Sequence, residues 1–300
     1  MQANFVQRYK QARFAGLVKR ISAVLCLCLS AYHSASIAAV WQITYPKALH
    51  NDSQDFAYAV ELLDLALQKT GVRYELNATQ DVILQQKALG FLQDNRKVNV
   101  VWTMTDEQRE NDLLPIRIPI FRGLIGWRVL LHHRNNQHRF AGLSRTDLAD
   151  KYYVQGMNWP DTKILRNNGF NVINATDYHE AFTLTRNQQA DFLPRSVIEV
   201  TGELTNSVLT EDLMLESRYV LRYPAATYFF VNKSNVILAK LLARGLQRAI
   251  DDGSFNALFE SHYMPVLDAL NVPDRITIDM DNPLLPIVTP VGDMRLWYTQ

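Results

Sequence analysis

Two α/β lobes, with the chain crossing between them twice, are the fold the sequence predicts, and three observations carry that prediction. Strand-type apolar runs alternate with helix-period segments in two separate β-α-β-α-β series, one over residues 40–103 and one over residues 152–193. A mostly apolar stretch at 116–131, broken by Pro119, Gly123 and Gly126, reads as extended and joins the two series. Strands at 218–222 and 227–231, separated by Pro224, lead back to a closing helical block. The cleft between two such lobes is the natural place for a ligand.

The head of the chain is set apart from this pattern. Arg8, Lys10, Arg13, Lys19 and Arg20 precede an apolar run at residues 21–31, ISAVLCLCLSA, and Ser34, Ala35, Ser36, Ala38 and Ala39 follow it. A basic start, a short apolar run and small residues make a secretory signal peptide, and the run is well short of the roughly 20 residues a spanning helix needs. Residues 1–39 are therefore expected to direct export, with the mature chain starting near Ala39 or Val40. The 2 cysteines, Cys26 and Cys28, both fall in the run. A mature chain without thiols has no disulfide, thiolate metal site or thiol nucleophile, which suits the bacterial periplasm better than a disulfide-rich exterior. Without the five leader cations, 26 basic residues face the 30 acids, so the body has no bulk attraction for nucleic acid or anionic membrane.

In the first lobe, residues 40–45 alternate as a strand and stop at Pro46. Phe56, Val60, Leu63 and Leu67 then mark one face of a helix that Gly71 ends. A strand at 72–76, a helix at 80–93 through Leu84, Ala88 and Leu92, and a buried strand at 98–103 complete the series. The stretch from 132 to 150 reads as a solvated polar segment. Its His132 and His133 point to opposite faces of any extended chain, and with His138 they lack a carboxylate or thiol partner for a metal. The second series runs as strand 152–155, helix 161–168 closed by Gly169, strand 171–173, helix 178–187 and strand 190–193. A helix at 234–250 carries Leu238, Leu241, Leu242 and Ala249, Gly253 ends it, and a short helix capped by Ser254 follows. Pro273, Pro283, Pro286 and Pro290 make the tail irregular. The expected division is lobe one at 40–126 and 228–300, tail included, and lobe two at 127–227, with hinges near 122–131 and 217–228.

Several segments in this order resemble the bacterial extracellular solute-binding proteins of family 3, the amino-acid-type periplasmic receptors of ABC transporters. Thr103-Met104-Thr105-Asp106-Glu107-Gln108-Arg109 stands where that family carries a Thr-Pro-Glu-Arg type motif. Pro115-Ile116-Arg117-Ile118-Pro119-Ile120 answers its first crossing. Gly142-Leu143-Ser144-Arg145-Thr146-Asp147-Leu148 and Gln189-Ala190-Asp191 look like its lobe-two segments, and Tyr228-Phe229-Phe230-Val231-Asn232-Lys233 like its return to lobe one. The resemblance implies the type II periplasmic-binding fold and a monomeric receptor, without cofactor or metal, that closes over a small solute and presents it to a membrane permease. One residue more separates Thr105 from Arg109 than in the family motif. Arg195 and Ser196 stand where the family places an acid for the ligand's ammonium, which turns the expectation toward an anionic or amino-acid-like solute.

The candidate ligand-binding residues are Arg109, Arg195, Ser196, Trp102, Thr105, Trp159, Thr162 and Tyr45. Arg109 and Arg195 follow buried strands, where a guanidinium fork would hold a carboxylate or phosphate; pairing of Arg195 with Glu199, one helical turn on, competes with that role. Gly156-Met157-Asn158-Trp159-Pro160-Asp161-Thr162 joins a strand to a helix start whose free amides suit an anion, against simple capping by Asp161 or Thr162. Tyr45, Trp102 and Trp159 offer ring faces at strand ends, against an ordinary place in the core. No G-x-S-x-G, H-E-x-x-H, P-loop or dinucleotide fingerprint occurs, so catalysis is not expected. A sensory module that signals closure to a membrane kinase or chemoreceptor is the alternative to transport, and a cleft enzyme on the same scaffold is a third reading.

Overall fold

A computed structural model describes residues 39–47 and 53–299. The expected signal peptide lies outside the described residues except for Ala39. From Val40 onward the chain forms one unit by its contacts.

In lobe one, β1 (Trp41–Lys47) and β2 (Tyr74–Val82) pair in parallel around α1 (Gln54–Thr70). That helix buries Tyr58, Leu62, Leu63, Ala66 and Leu67 and stops where Gly71 turns left-handed, at φ 76°. The β2 strand runs six residues beyond the expected end, because Lys47 pairs with Val82 and its amide bonds the Thr79 hydroxyl. The helix expected at 80–93 shrinks accordingly to α2 (Gln85–Gln93), whose buried residues are Ala88 and Leu92. Next come β3 (Val101–Met104), α3 (Glu107–Asp112) and β4 (Leu114–Ile116).

Lobe two begins with β5 (Trp127–His133), buried along its whole length. His132 is only 2% exposed. This corrects the expected solvated segment: β5 is paired antiparallel by three other strands, so both histidines are interior residues of a central strand. Short helices α4 (Gln137–Phe140) and α5 (Arg145–Ala149) follow, the second closed by a Ser144–Asp147 capping box. The second series is β6 (Tyr152–Gly156), α6 (Pro160–Asn167), β7 (Asn171–Ala175), α7 (Tyr178–Arg186) and β8 (Leu193–Ser196). β8 lies three residues beyond the expected strand because the amides of Asp191 and Phe192 are spent on the Tyr152 carbonyl, and ladder pairing with β5 starts at Leu193. α8 (Val200–Leu204), α9 (Ser207–Thr210), β9 (Leu213–Leu215) and β10 (Tyr219–Arg222) complete the lobe.

The chain then returns to lobe one as β11 (Thr227–Val231), which fits antiparallel between β3 and β4. α10 (Val236–Asp251) and α11 (Ser254–Ala269) pack beside α1. α11 is no short helix: it runs 16 residues through Pro265 because Phe255, Phe259, Tyr263 and Leu267 bury one continuous face, and its N-cap is Gly253 rather than Ser254. The two crossings touch closely. A Cβ on Gly126 would sit 2.1 Å from the Tyr223 carbonyl oxygen, so only glycine lets the first crossing lie against the second.

The tail departs from its expected place in lobe one. β12 (Ile276–Asp279) pairs in parallel with β10, and Ile278 and Met280 enter the lobe-two core around Tyr153, Phe192 and Leu221. Asn271 is left-handed at φ 49°, which turns the chain out of α11 toward that sheet.

Candidate functional site

Three rings meet at the lobe-one face of the cleft. Tyr45 from β1, Trp102 from β3 and Phe56 from the first turn of α1 lie with centroids 5.2 to 6.1 Å apart, all half-buried. Asp55 lies in the same turn. Burial and the nearby Glu199 carboxylate raise its pKa to about 6, while the Ser53 hydroxyl and the amides of Asp55 and Phe56 pull the other way. Glu199 belongs to the connection after β8, so Asp55 and Glu199 are lobe-one and lobe-two carboxylates that feel each other.

Glu199 is part of a buried charge network on lobe two. Arg195, at the end of β8, is held by both oxygens of Glu203, at 2.5 and 2.9 Å, and by Glu199 at 3.1 Å. Trp159 and Tyr178 cover its guanidinium with centroids 5.1 and 5.5 Å away. Arg128, on β5, bonds the Tyr223 hydroxyl at 2.9 Å, Asp161 at 2.9 Å and Glu199 at 3.3 Å. Tyr223 donates in turn to Asp161 through a short bond. Two guanidiniums thus face three carboxylates, and Asp161 and Glu203 already match one cation each. Glu199 is the surplus charge. Its side chain is 28% exposed, against 9% or less for the two arginines, Asp161 and Glu203.

Arg109 sits in α3, whose N-cap Asp106 accepts its amide. Its Nη1 bonds the Met104 carbonyl at 3.1 Å and Asp106 at 2.5 Å, and its Nε and Nη2 bond no described residue. Between the lobes, Arg109, Asp106, Trp159, Pro160 and Lys163 line a cavity of about 380 Å³, with tail residue Leu284 at its wall. Trp159 lies flat against Gly156, where a Cβ would meet its ring at 2.6 Å.

Tyr45 and Trp102 therefore come together, as do Trp159 and Arg195, and Arg109 and Trp159 share one cavity. The remaining candidates have internal partners. Thr105 donates to Glu110 at 2.8 Å, Thr162 to the Gly156 carbonyl at 2.8 Å, and Ser196 to the Leu124 carbonyl at 3.2 Å. Asp161, read as a capping residue, is instead the buried partner of Arg128. Sequence reasoning missed Asp55, Phe56, Arg128, Glu203 and Tyr223. The usable signal for Arg128 was a lone cation inside an otherwise apolar strand.

No protein-family model and no curated protein matches the sequence. Solved structures do match the fold. The probable amino-acid ABC transporter extracellular-binding protein ytmK from Bacillus subtilis superposes with a TM-score of 0.56 at 20% identity, over 75% of this chain and 98% of that one. The Bordetella pertussis BvgS periplasmic VFT2 domain gives 0.54 at 15% identity, over 74% of this chain and 92% of that one. An ancestral arginine-binding protein bound to arginine gives 0.51 at 15% identity, over 75% and 98%. The chain has the two-lobed type II periplasmic-binding-protein fold, and the resemblance read from its sequence holds at the level of that fold.

Proposed function

We propose that this chain is an exported periplasmic receptor that closes its two lobes over a small amino-acid-like solute. The observation that carries the reading is the charge surplus at the cleft: Glu199 shares Arg128 and Arg195 with Asp161 and Glu203, and Asp55, which feels Glu199, adds a further carboxylate beside the half-buried rings of Tyr45, Phe56 and Trp102. An ammonium group entering between the carboxylates relieves their repulsion and finds ring faces to lie against. Arg109, with Nε and Nη2 unspent, suits the carboxylate of the same solute. A purely anionic solute fits less well, because Arg128 and Arg195 are already neutralised from within.

On this reading the leader at 1–39 directs export and the receptor serves a permease. Sensing is the second reading. It is favoured by the fold shared with the BvgS periplasmic domain and with a histidine kinase sensor domain, at TM-scores of 0.54 and 0.50.

Thermal unfolding of the purified protein against L-arginine, L-lysine, L-glutamate, succinate and inorganic phosphate tests the proposal. A ligand at a hundred times its Kd adds about 2.7 kcal/mol, a midpoint shift of about 5 °C or more at this size. Stabilisation by one or more of the amino acids, absent with succinate and phosphate and lost in Glu199→Gln and Arg109→Ala, is the expected result. A flat response, or a shift with succinate alone, overturns it.

A further inference from the structure

From the tail we infer that residues 270–298 add two further passes between the lobes and stiffen the hinge, with Arg275 as the clamp that fixes the first of them. This pass is short. Leu270 closes α11, which packs beside α1 in lobe one, and Ile276 already pairs with Tyr219 in the lobe-two sheet. Five residues, 271–275, join the two, about 20 Å of chain if fully extended, and Val272–Asp274 is wound into a 3-10 turn, which leaves little slack for a wide opening.

Arg275 sits in this pass and is 8% exposed. Its Nε donates to the Leu270 carbonyl at the end of α11, at 2.8 Å, and its Nη1 to the Glu216 and Tyr219 carbonyls of lobe two, at 2.5 and 3.1 Å. A single guanidinium fork therefore joins the last turn of a lobe-one helix to the start of a lobe-two strand. Any rotation that separates these elements must break charge-assisted bonds in a place closed to water, leaving carbonyls unpaired.

The second pass runs back. Asp281 and Asn168 exchange two bonds, at 2.8 and 2.9 Å, at the C-terminus of α6, and Asn282 donates to the Pro224 carbonyl on the second crossing at 2.9 Å. After Leu284 has lined the cleft, the chain returns to the first crossing. There the Trp297 ring covers Gly123, where a Cβ would meet it at 2.6 Å, the Tyr298 amide donates to the Arg122 carbonyl at 2.8 Å, and the Arg122 guanidinium donates to the Trp297 carbonyl at 3.1 Å. Tyr298 also packs on Trp127 at the start of β5. The tail thus grips lobe two, the second crossing and the first crossing in turn. In a receptor with two crossings alone, none of these grips would resist opening.

The inference rests on the two-lobed fold and is independent of which solute binds. It is tested without ligand by pulsed electron-spin distance measurements on the full chain, with Cys26 and Cys28 replaced by serine and labels at Lys240→Cys in lobe one and Thr183→Cys in lobe two. The expected result is a narrow distance distribution for the parent, at least twofold broader and shifted to longer distances in Arg275→Ala and in Trp297→Ala. Arg275→Lys, which keeps the charge but not the fork, should fall between. Circular dichroism checks folding, and if Arg275→Ala does not fold, Trp297→Ala combined with Asn282→Ala is judged by the same criterion. Distributions that superimpose on the parent overturn the inference.

Discussion

Glu203 chelates Arg195 through both carboxylate oxygens, and both side chains are nearly shut off from water. Desolvating such a pair is costly, so its presence is weak support for stability, but removing one partner strands the other. Glu203→Ala is therefore expected to cost about 3 to 5 kcal/mol in urea unfolding. The exposed pair Arg186–Glu211, at 3.4 Å, should cost at most about 1 kcal/mol when Glu211 is truncated, because water and salt screen it. A Glu203→Ala loss no larger than the Glu211 loss would show that Arg195 is satisfied by Glu199 alone. The two positions also show what a sequence reveals of a site. Arg195 and Glu199 stand at i and i+4 and were legible as a pair. Arg128, Asp161 and Tyr223 converge from three segments far apart in sequence, and no local spacing records that meeting. The ring pair Tyr45 and Trp102 was legible as strand-end aromatics, whereas Phe56 looked like one more apolar residue on its helix.

α10 crosses α1 at very close range. A Cβ on Gly245 would lie 1.9 Å from the Ala66 carbonyl oxygen, so the two helix backbones approach more closely than any side chain allows. Gly245→Ala would raise helix propensity in isolation, yet here it must push α10 away from α1. A net loss on the order of 1 to 3 kcal/mol is expected, seen as a lowered midpoint in calorimetry; a stabilised variant would mean that the helices can separate freely. Interior helices and strands such as α1, α6, α7 and β11 were legible within about two residues because their apolar period is strong and glycine or proline marks their ends. β2, β5, β8 and α11 were misread for one shared reason. Their limits are set by partners distant in the chain: by Lys47 for β2, by three strands for β5, by the Tyr152 carbonyl for β8, and by the buried face that carries α11 through Pro265. The same holds for β12, whose register exists only against β10.

At the scale of the whole molecule, folding buries Asp55 and brings it near the Glu199 carboxylate, and burial first, with Glu199 second, raises its pKa to about 6 from an ordinary value of 3.8. A native pKa above the unfolded one means that the folded chain binds more protons between those values, so stability falls as pH rises through that window. Below about pH 4 Asp55 is protonated in both states and adds little penalty; above pH 6 the penalty is complete, on the order of 3 kcal/mol. Asp252, held near 2 by Lys69 and Ser254, contributes the opposite slope at the acid end, so the Asp55 effect must be read as a difference between variants. Asp55→Asn should match the parent near pH 4 and exceed it progressively toward pH 7 in urea unfolding. Glu199→Gln should reduce that difference, since it removes the charge Asp55 feels across the cleft while leaving the burial that raises its pKa. Equal stability of Asp55→Asn and the parent from pH 4 to 7 would show that neither burial nor Glu199 perturbs Asp55. A bound ammonium group would lower the Asp55 pKa again, so the slope between pH 4 and 6 should flatten in saturating ligand, and ligand affinity should rise with pH over the same window.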